Sequence, residues 1–312
     1  MKGVNNKILH VNLTDMKFRI EEPGEVFYRT YFGGRGFALK YMLENIPAGT
    51  DPLAPENMIV FAASVLVGAP GPAISRLVTC AKSPLTGAYG ESEAGGWWAP
   101  ELKKAGFDAV TISGRAPYPV YIWIKDGKVE FRDARHLWGH ETGHVQDTIR
   151  SELGDRRVRV TQIGPGGERL IRFANIVNEL AHFNGRAGMG AVMGSKNLKA
   201  IAVRGTKDIE FADVKRIREI NRWAATEGLK HPAGFLLHKY GTTVLVKPMN
   251  EAGFLPTQNF NKGTFSGIEK ISAESLQETI YDKPGGCYSC PIRCKRRASI
   301  EGDGFTVDPR YG

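Results

Sequence analysis

The sequence predicts an α+β protein in which a β-rich N-terminal domain precedes the beginning of a mainly α-helical domain. Short strand patterns separated by glycines fill the first part of the chain, whereas apolar residues recur at helical spacing from Ala212 to Glu227. The chain has 312 residues, which is enough for two domains with their own cores. We therefore place the first domain at residues 1–207 and the second at residues 208–312.

The first domain mixes strands and helices without a regular βαβ alternation, which favours α+β packing. Asp126-Gly127 separates two alternating runs and predicts a tight hairpin. Strands are predicted at Lys7–Leu13, Phe18–Glu22, Met58–Ala63, Leu77–Ala81, Ala109–Ser113, Val120–Lys125, Lys128–Arg132, Arg157–Ile163 and Ala200–Arg204. Helices are predicted at Gly36–Asn45, Pro100–Ala105 and Gly143–Leu153.

Three of the four cysteines form a compact motif in the second domain, Cys287-Tyr-Ser-Cys290-Pro-Ile-Arg-Cys294. Thiolates at this C-x2-C-x3-C spacing are soft ligands that suit an iron–sulfur cluster or zinc. The alternative is a chance grouping of ordinary buried cysteines. The spacing therefore predicts a metal site at these three positions.

The fourth cysteine, Cys80, lies in an apolar Leu-Val-Thr-Cys-Ala run and is predicted to be a core residue of a buried strand. A four-iron cluster needs four ligands, and the motif supplies three. We therefore expect the fourth ligand to follow Gly312 and the chain to be an incomplete fragment of a longer enzyme.

Charge and composition argue against several classes of protein. The 42 Lys and Arg residues exceed the 33 Asp and Glu residues by 9, but they are spread along the chain and do not alternate with aromatic residues as in RNA-binding segments. A diffuse positive field favours anionic cofactors or acidic electron-transfer partners. The sequence shows neither a signal peptide nor an apolar run of membrane-spanning length, so we expect no membrane span and a cytoplasmic location.

Glycine is abundant, with 37 residues, and its clusters indicate close backbone approach to a ligand or tight turns. The run from Gly188 to Gly194 departs from the dinucleotide-binding spacing, and Gly164-Pro-Gly-Gly167 lacks the Lys-Ser/Thr of a P-loop. Glycine-rich backbone and arginine forks can instead hold a large oxyanion, and Arg76, Lys82 and Arg186 are candidates for this role.

A series of motifs occurs in order along the chain. They are Phe32-Gly-Gly-Arg-Gly36, Arg76 followed by Lys82-Ser-Pro-Leu-Thr-Gly87, Gly95-Gly96, Glu101-Leu-Lys-Lys-Ala-Gly-Phe-Asp-Ala109, Ile163-Gly-Pro-Gly-Gly-Glu168, Gly188-Met-Gly-Ala-Val-Met-Gly-Ser-Lys-Asn-Leu-Lys-Ala-Ile-Ala-Val203 and the cysteine motif. Together they resemble the tungsten- and molybdenum-dependent aldehyde:ferredoxin oxidoreductase family. The resemblance covers essentially the whole chain.

The resemblance implies a two-sheet base that holds the metal between two pterins, as a tungstopterin or molybdopterin in bis-pterin form. It also implies Mg2+ bridging the pterins, and it identifies no catalytic residue within this chain. By resemblance, the cofactor contacts are Arg76, Glu93, Gly95, His182, Phe183, Gly185 and Arg186, and a [4Fe–4S] cluster is bound by Cys287, Cys290 and Cys294.

Two departures from the family pattern indicate a distinct subgroup. Glu93 stands where the family has a cofactor-contacting Asn. His182-Phe183 stands where the family often has Arg-Ala.

The implied function is oxidation of a small-molecule aldehyde to a carboxylic acid. Electrons would pass through the cluster to ferredoxin or an iron–sulfur partner subunit, within a homo- or hetero-oligomer that does not bind nucleic acid. The alternative within the family is a subunit of a benzoyl-coenzyme A reductase-type aromatic-ring reductase. A remote alternative is a zinc-stabilised nucleic-acid-binding module, in which the three cysteines and His231 or His238 hold the zinc.

Overall fold

A computed structural model describes residues 1–302, 305–307 and 310 of the chain. The chain folds into two units. The first comprises Met1–Ala69 and Ala73–Val214, and the second comprises Pro70–Pro72 and the chain from Lys215 onward.

The first unit contains the two large sheets and the helices that cover them. Its strands are β1 (Ile8–Asn12), β2 (Lys17–Glu21), β3 (Ile59–Ala63), β4 (Leu77–Lys82), β5 (Tyr89–Ala94), β6 (Ala109–Ser113), β7 (Val120–Lys125), β8 (Lys128–Asp133), β9 (Arg159–Gln162), β10 (Ile176–Asn178), β11 (His182–Asn184) and β12 (Leu198–Arg204). Its helices are α1 (Glu25–Tyr31), α2 (Arg35–Asn45), α3 (Trp98–Lys104), α4 (Thr142–Glu152), α5 (Pro165–Glu168) and α6 (Met189–Ser195), with a 3-10 turn at Arg135–Leu137.

Each sheet has six strands, and one edge strand of each, β5 or β11, contributes to the site described below. The first sheet has the order β2-β1-β6-β3-β4-β5, and the second has the order β11-β10-β9-β12-β7-β8. In each sheet one pair is parallel, β1 with β6 and β12 with β7, and the other pairs are antiparallel. Both β5 and β11 are therefore edge strands.

The two sheets share one apolar core. Buried side chains of the first sheet, such as Phe61, belong to the same cluster as Ile201 of the second sheet, Trp98 of α3 and Met193 of α6. Burial of apolar area at about 25 cal/mol per Å² makes this shared core the main stabilising contribution to the unit.

Helices cover the outer face of each sheet. Tyr28 of α1 and Phe37 of α2 pack with Val60 on the first sheet, and Ile149 of α4 packs with Val160 on the second. The first unit is thus layered as helices, sheet, sheet and helix. Central strands are consequently apolar on both faces, as in β3, where all five residues are buried.

The second unit is mainly helical and carries a short hairpin. Its helices are α7 (Val214–Thr226), α8 (Pro232–Tyr240), α9 (Val246–Glu251) and α10 (Ala273–Thr279), with 3-10 turns at Gly241–Leu245 and Ile268–Ile271. Its strands are β13 (Tyr281–Gly285), β14 (Lys295–Ala298), β15 (Ile300–Gly302) and β16 (Phe305–Val307), paired as β13 with β14 and β15 with β16. In the described part of the chain, no helix is both long and apolar enough to span a membrane.

The predicted α+β class and the two-sheet base are confirmed. The predictions omitted α1, α5, α6, β5, β10 and β11, which the structure contains. β5 was missed because its sequence, Tyr-Gly-Glu-Ser-Glu-Ala, is polar and contains glycine, which is not typical of a strand. It is a strand because it pairs with β4. The helix predicted from Pro100 begins earlier, at Trp98, because proline is tolerated in the first turn.

Candidate functional site

The edge strand β11 of the second sheet is joined to the first sheet by buried side-chain amides. The Nδ2 group of Asn184 donates to the main-chain oxygen of Ser92 on β5 at 2.8 Å, and to that of Leu77 on β4 at 3.4 Å. Its Oδ1 accepts from Nδ2 of Asn178 at 2.9 Å. Because a buried polar group without a partner costs about 1–3 kcal/mol, these bonds fix β11 against β4 and β5.

Arg76 and Gly95 lie together at one end of the β4–β5 pair. Leu77 and Ala94 are opposite each other in the register, so Arg76, which precedes Leu77, and Gly95, which follows Ala94, flank the same pair. The Arg76 side chain is exposed. The structure therefore brings these two predicted contacts to one edge of the sheet.

Gly185 and Arg186 lie in the loop between β11 and α6, beside the same strand. The backbone N–H of Arg186 donates to Oγ of Ser92 on β5 at 3.1 Å. The amide of Asn175 can donate to the oxygen of Gly185 at 2.9 Å, which anchors the other side of the loop. Both loop residues are exposed. We call Arg76, Gly95, Gly185 and Arg186 the edge cradle.

Glu93 occupies β5 and is held by an arginine that the sequence analysis did not single out. Nη2 of Arg35, in the first turn of α2, lies 2.8 Å from Oε1 of Glu93 and 2.8 Å from Oε1 of Glu91. The hydrogen bond that Arg35 donates to Glu93 and the charge of Glu91 raise the pKa of Arg35. Glu93 is therefore a paired carboxylate at a predicted cofactor contact.

His182 and Phe183 point to opposite sides of β11, as neighbours on a strand do. His182 is buried, whereas Phe183 is 37% exposed. Nδ1 of His182 lies 3.8 Å from Oε2 of Glu179, and the same oxygen accepts the backbone N–H of Trp97 at 3.2 Å. Burial raises the pKa of Glu179 to about 7. The structure thus places an acid with a perturbed pKa beside a predicted cofactor contact.

The three cysteines of the motif lie in the loop between β13 and β14, and all three are half-buried. The backbone N–H of Cys290 donates to the oxygen of Cys287 at 3.2 Å, which closes the first turn of the loop. Across residues 1–302, 305–307 and 310, no group of three or more His, Cys, Asp or Glu side chains is placed to hold a metal ion. The loop gathers the three predicted ligand residues without arranging their side chains around one centre.

Neither histidine of the zinc alternative completes such a group. Nδ1 of His238 lies 2.9 Å from the oxygen of Ile292, and Nδ1 of His231 accepts the backbone N–H of Ala233 at the start of α8. In both histidines, Nδ1 contacts a main-chain atom.

Cys80 is a core residue, as predicted. It is 0% exposed on β4, and its Sγ lies 3.1 Å from Oη of Tyr89. Burial raises the pKa of the Cys80 thiol to about 12. A thiol that stays protonated in an apolar core is a packing group and a poor metal ligand.

The side chains that hold the site together were not predicted as site residues. Ser92, Asn178 and Asn184 bond the two sheet edges, and Arg35 and Glu179 hold predicted contacts in place. A signal for the amide layer does exist, since Asn178 and Asn184 are polar and yet lie in short segments rich in apolar residues.

Comparison with protein families matches both units. The family model described as the aldehyde ferredoxin oxidoreductase N-terminal domain matches residues 8–205, and the model for domains 2 and 3 of the same family matches residues 219–312.

Known relatives carry the same description. The tungsten-containing aldehyde ferredoxin oxidoreductases of Pyrococcus abyssi and Pyrococcus furiosus are 41% and 40% identical over 312 residues. The match covers 100% of this chain and 51% and 52% of theirs, so the chain spans about half the length of these curated relatives. The WOR-like subunit of an aliphatic sulfonate oxidoreductase from Pyrococcus furiosus is 33% identical, over 95% of this chain and 49% of its own.

A solved structure shows the same fold. The active-site complex BamBC of benzoyl coenzyme A reductase with 1,5-dienoyl-CoA superposes with a TM-score of 0.81 at 28% identity, over 96% of this chain and 48% of that one. With both family models matched along the chain, the chain belongs to the aldehyde ferredoxin oxidoreductase family.

Proposed function

We propose that this protein oxidises aldehydes to carboxylic acids at a bis-pterin tungsten or molybdenum centre. The observation that carries the proposal is the edge cradle: the segment from Asn184 to Arg186 of the second sheet contacts strands β4 and β5 of the first, the pair that Arg76 and Gly95 flank, in a chain of this family. The curated relatives that are 40% or 41% identical over the whole chain are described as tungsten-containing enzymes, which favours tungsten.

The residues of the edge cradle suit an anionic, many-atom cofactor. Arg76 and Arg186 offer two exposed guanidinium groups, which bind phosphate in two-point contacts. Gly95 and Gly185 let the backbone approach a ligand closely. Glu93, His182 and Phe183 would complete the contacts, and Mg2+ bridging the two pterins belongs to the same proposal.

When bound, the metal–pterin group supplies the two-electron chemistry of aldehyde oxidation. The contribution of this chain is to bind and orient the group. The buried amides of Asn178 and Asn184 keep the two loops at a fixed separation, and Arg35 keeps the Glu93 carboxylate turned toward α2. No residue of this chain is assigned a catalytic role.

We further propose that Cys287, Cys290 and Cys294 supply three ligands of a [4Fe–4S] cluster. The three thiols, their short spacing and their single hairpin loop support this assignment, since soft thiolates are the ligands of iron–sulfur centres. The side-chain arrangement described above is not that of a formed metal site, so we derive no step through the cluster.

The proposed partner is an electron acceptor of the ferredoxin class or an iron–sulfur subunit, and the proposed location is the cytoplasm. The family name and the subunit description of one relative support the partner. The net charge of +9 favours an acidic partner through long-range attraction.

A second candidate function is reduction of an aromatic ring attached to coenzyme A. The structural similarity to the benzoyl coenzyme A reductase complex favours it. We rank this function second because the identity to that complex is 28%, whereas the identity to the aldehyde enzyme of Pyrococcus abyssi is 41%.

The test is an anaerobic assay of the purified protein with a viologen dye. We expect aldehyde-dependent dye reduction, together with tungsten or molybdenum bound to the protein. Activity with benzoyl coenzyme A and a reduced dye, in the absence of aldehyde oxidation, would instead establish the second candidate. A metal-free, pterin-free protein that folds normally would contradict both.

A further inference from the structure

We propose that Glu179 is a positioning residue that holds or releases a proton beside His182 and thereby sets the charge of that imidazole at the edge cradle. The inference rests on the proposed function in one respect, namely that His182 contacts the cofactor. It gives a role to a carboxyl group that the family resemblance does not assign.

The Glu179 carboxyl group lies between the loop after β5 and strand β11. Oε2 of Glu179 accepts the backbone N–H of Trp97 at 3.2 Å and lies 3.8 Å from Nδ1 of His182. The side chains of Glu179 and His182 are only 7% and 6% exposed. The carboxyl group therefore links the loop after β5 to β11, and both of these elements carry predicted cofactor contacts.

The backbone at Gly96 lies close against the Glu179 carboxyl group and leaves no room for a side chain. Gly96 has a φ of +106°, and a Cβ atom placed there would lie 2.7 Å from Oε2 of Glu179 and 3.1 Å from Nδ1 of His182. Only glycine is accommodated without a shift of these groups. The Gly95-Gly96 turn is thus shaped around the Glu179 carboxyl group and the His182 ring.

One oxygen of the Glu179 carboxyl group lacks a hydrogen-bond partner in the described part of the chain. Oε1 of Glu179 is buried and has no hydrogen-bond partner among the residues that the structure describes. A buried ionised carboxylate needs several hydrogen-bond donors around it, whereas a neutral carboxylic acid needs fewer donors and can donate its own proton. The environment therefore favours the neutral form more than an exposed site would.

The charged groups facing Glu179 come from several elements. Arg159 of β9 and Arg150 of α4 favour the ionised form, and Glu101 of α3 disfavours it. Burial outweighs these effects and brings the pKa of Glu179 to about 7. The carboxyl group consequently changes charge in the neutral range.

The consequence for His182 follows from the distance of 3.8 Å. An ionised Glu179 stabilises the imidazolium form of His182, and a protonated Glu179 does not. Because both groups are buried, this coupling is screened little by solvent. A cofactor in contact with His182 would therefore experience a local potential that depends on the protonation of Glu179.

The experiment compares Glu179→Gln with wild type in the metal-loaded protein. The amide keeps the size of the side chain and an oxygen for the N–H of Trp97, but it cannot ionise. The midpoint potential of the metal centre is measured by EPR-monitored redox titration between about pH 5 and pH 9, and metal and pterin per chain are measured on the same samples. Glu91→Gln is the matched control, since Glu91 lies on β5 and pairs with Arg35 away from His182.

We expect an inflection in the potential of the wild type near pH 7, retention of this inflection in Glu91→Gln, and its loss in Glu179→Gln at unchanged metal content. An inflection that persists in a metal-loaded Glu179→Gln protein would overturn the proposal. If Glu179→Gln does not fold, the wild type still decides, because a potential without an inflection between about pH 6 and pH 8 also overturns it. A wild-type protein that binds no pterin would instead refute the proposed function.

Discussion

Replacing Asn184 by Ala should separate the two sheet edges that form the edge cradle. The change removes the donor to Ser92 and the weaker contact to Leu77, and it leaves the main-chain oxygen of His182, at 3.2 Å, as the remaining acceptor of Nδ2 of Asn178. Two well-formed bonds at about 1 kcal/mol each, plus part of the penalty for buried groups left unpaired, give a loss of about 3 kcal/mol in the free energy of unfolding. With a slope of about 2–3 kcal/mol per M, the urea midpoint should fall by about 1 M.

Urea unfolding at neutral pH, followed by circular dichroism, measures this effect. Asn45→Ala is the matched control within the same unit, because its Nδ2 makes one bond, to the main-chain oxygen of Tyr41 at 2.7 Å near the end of α2. We expect the control to lose about 1 kcal/mol or less. Equal midpoints for Asn184→Ala and Asn45→Ala would refute the inference that buried amides hold the edges together.

Further predictions concern a core cysteine, a glycine and a buried acid. Cys80→Ala should cost about 1 kcal/mol of stability and leave the iron content of the protein intact, whereas Cys290→Ser should lower it; equal iron loss would show that Cys80 is a ligand. Gly96→Ala should destabilise by about 1–3 kcal/mol, because its Cβ would meet Oε2 of Glu179 at 2.7 Å, and an unchanged melting temperature would contradict this. Glu179→Gln should make the protein more stable than wild type above pH 7, by on the order of 3 kcal/mol, and this gain should vanish below pH 4.5. The sign follows because the folded state raises the pKa of Glu179 from 4.5 to about 7, so the wild type loses stability as the pH rises through that window. Urea midpoints measured across this range would reveal a contrary trend.

The sequence predicted most of the first unit because its strands are apolar and its turns carry glycine. β3 and β7 are continuous or alternating apolar runs, and Asp126-Gly127 marks the hairpin after β7. Local patterns of this kind require no knowledge of distant contacts. The strands that escaped prediction, β5 among them, exist because of pairing with another strand, which a local pattern does not contain.

In the site, too, residues in local motifs could be predicted, whereas residues defined by distant contacts could not. Arg76 and Arg186 could be named because they lie in glycine-rich motifs that resemble a family. Glu179 and Asn184 could not, since their roles depend on groups distant in sequence, Trp97 and Ser92, that folding brings within hydrogen-bonding distance. A polar residue among apolar neighbours was the available signal, and it does not say which partner the residue will meet.

The central claim is that the edge cradle holds the metal–pterin cofactor, and metal and pterin content per chain after anaerobic purification tests it most directly. Loss of one charge-assisted contact of about 1.5–3 kcal/mol lowers affinity about tenfold or more. Arg76→Ala and Arg186→Ala should therefore each lower the tungsten or molybdenum content, while Arg29→Ala, which removes an exposed arginine paired with Glu25, should retain it. Wild-type metal and pterin content in both Arg76→Ala and Arg186→Ala would contradict the claim.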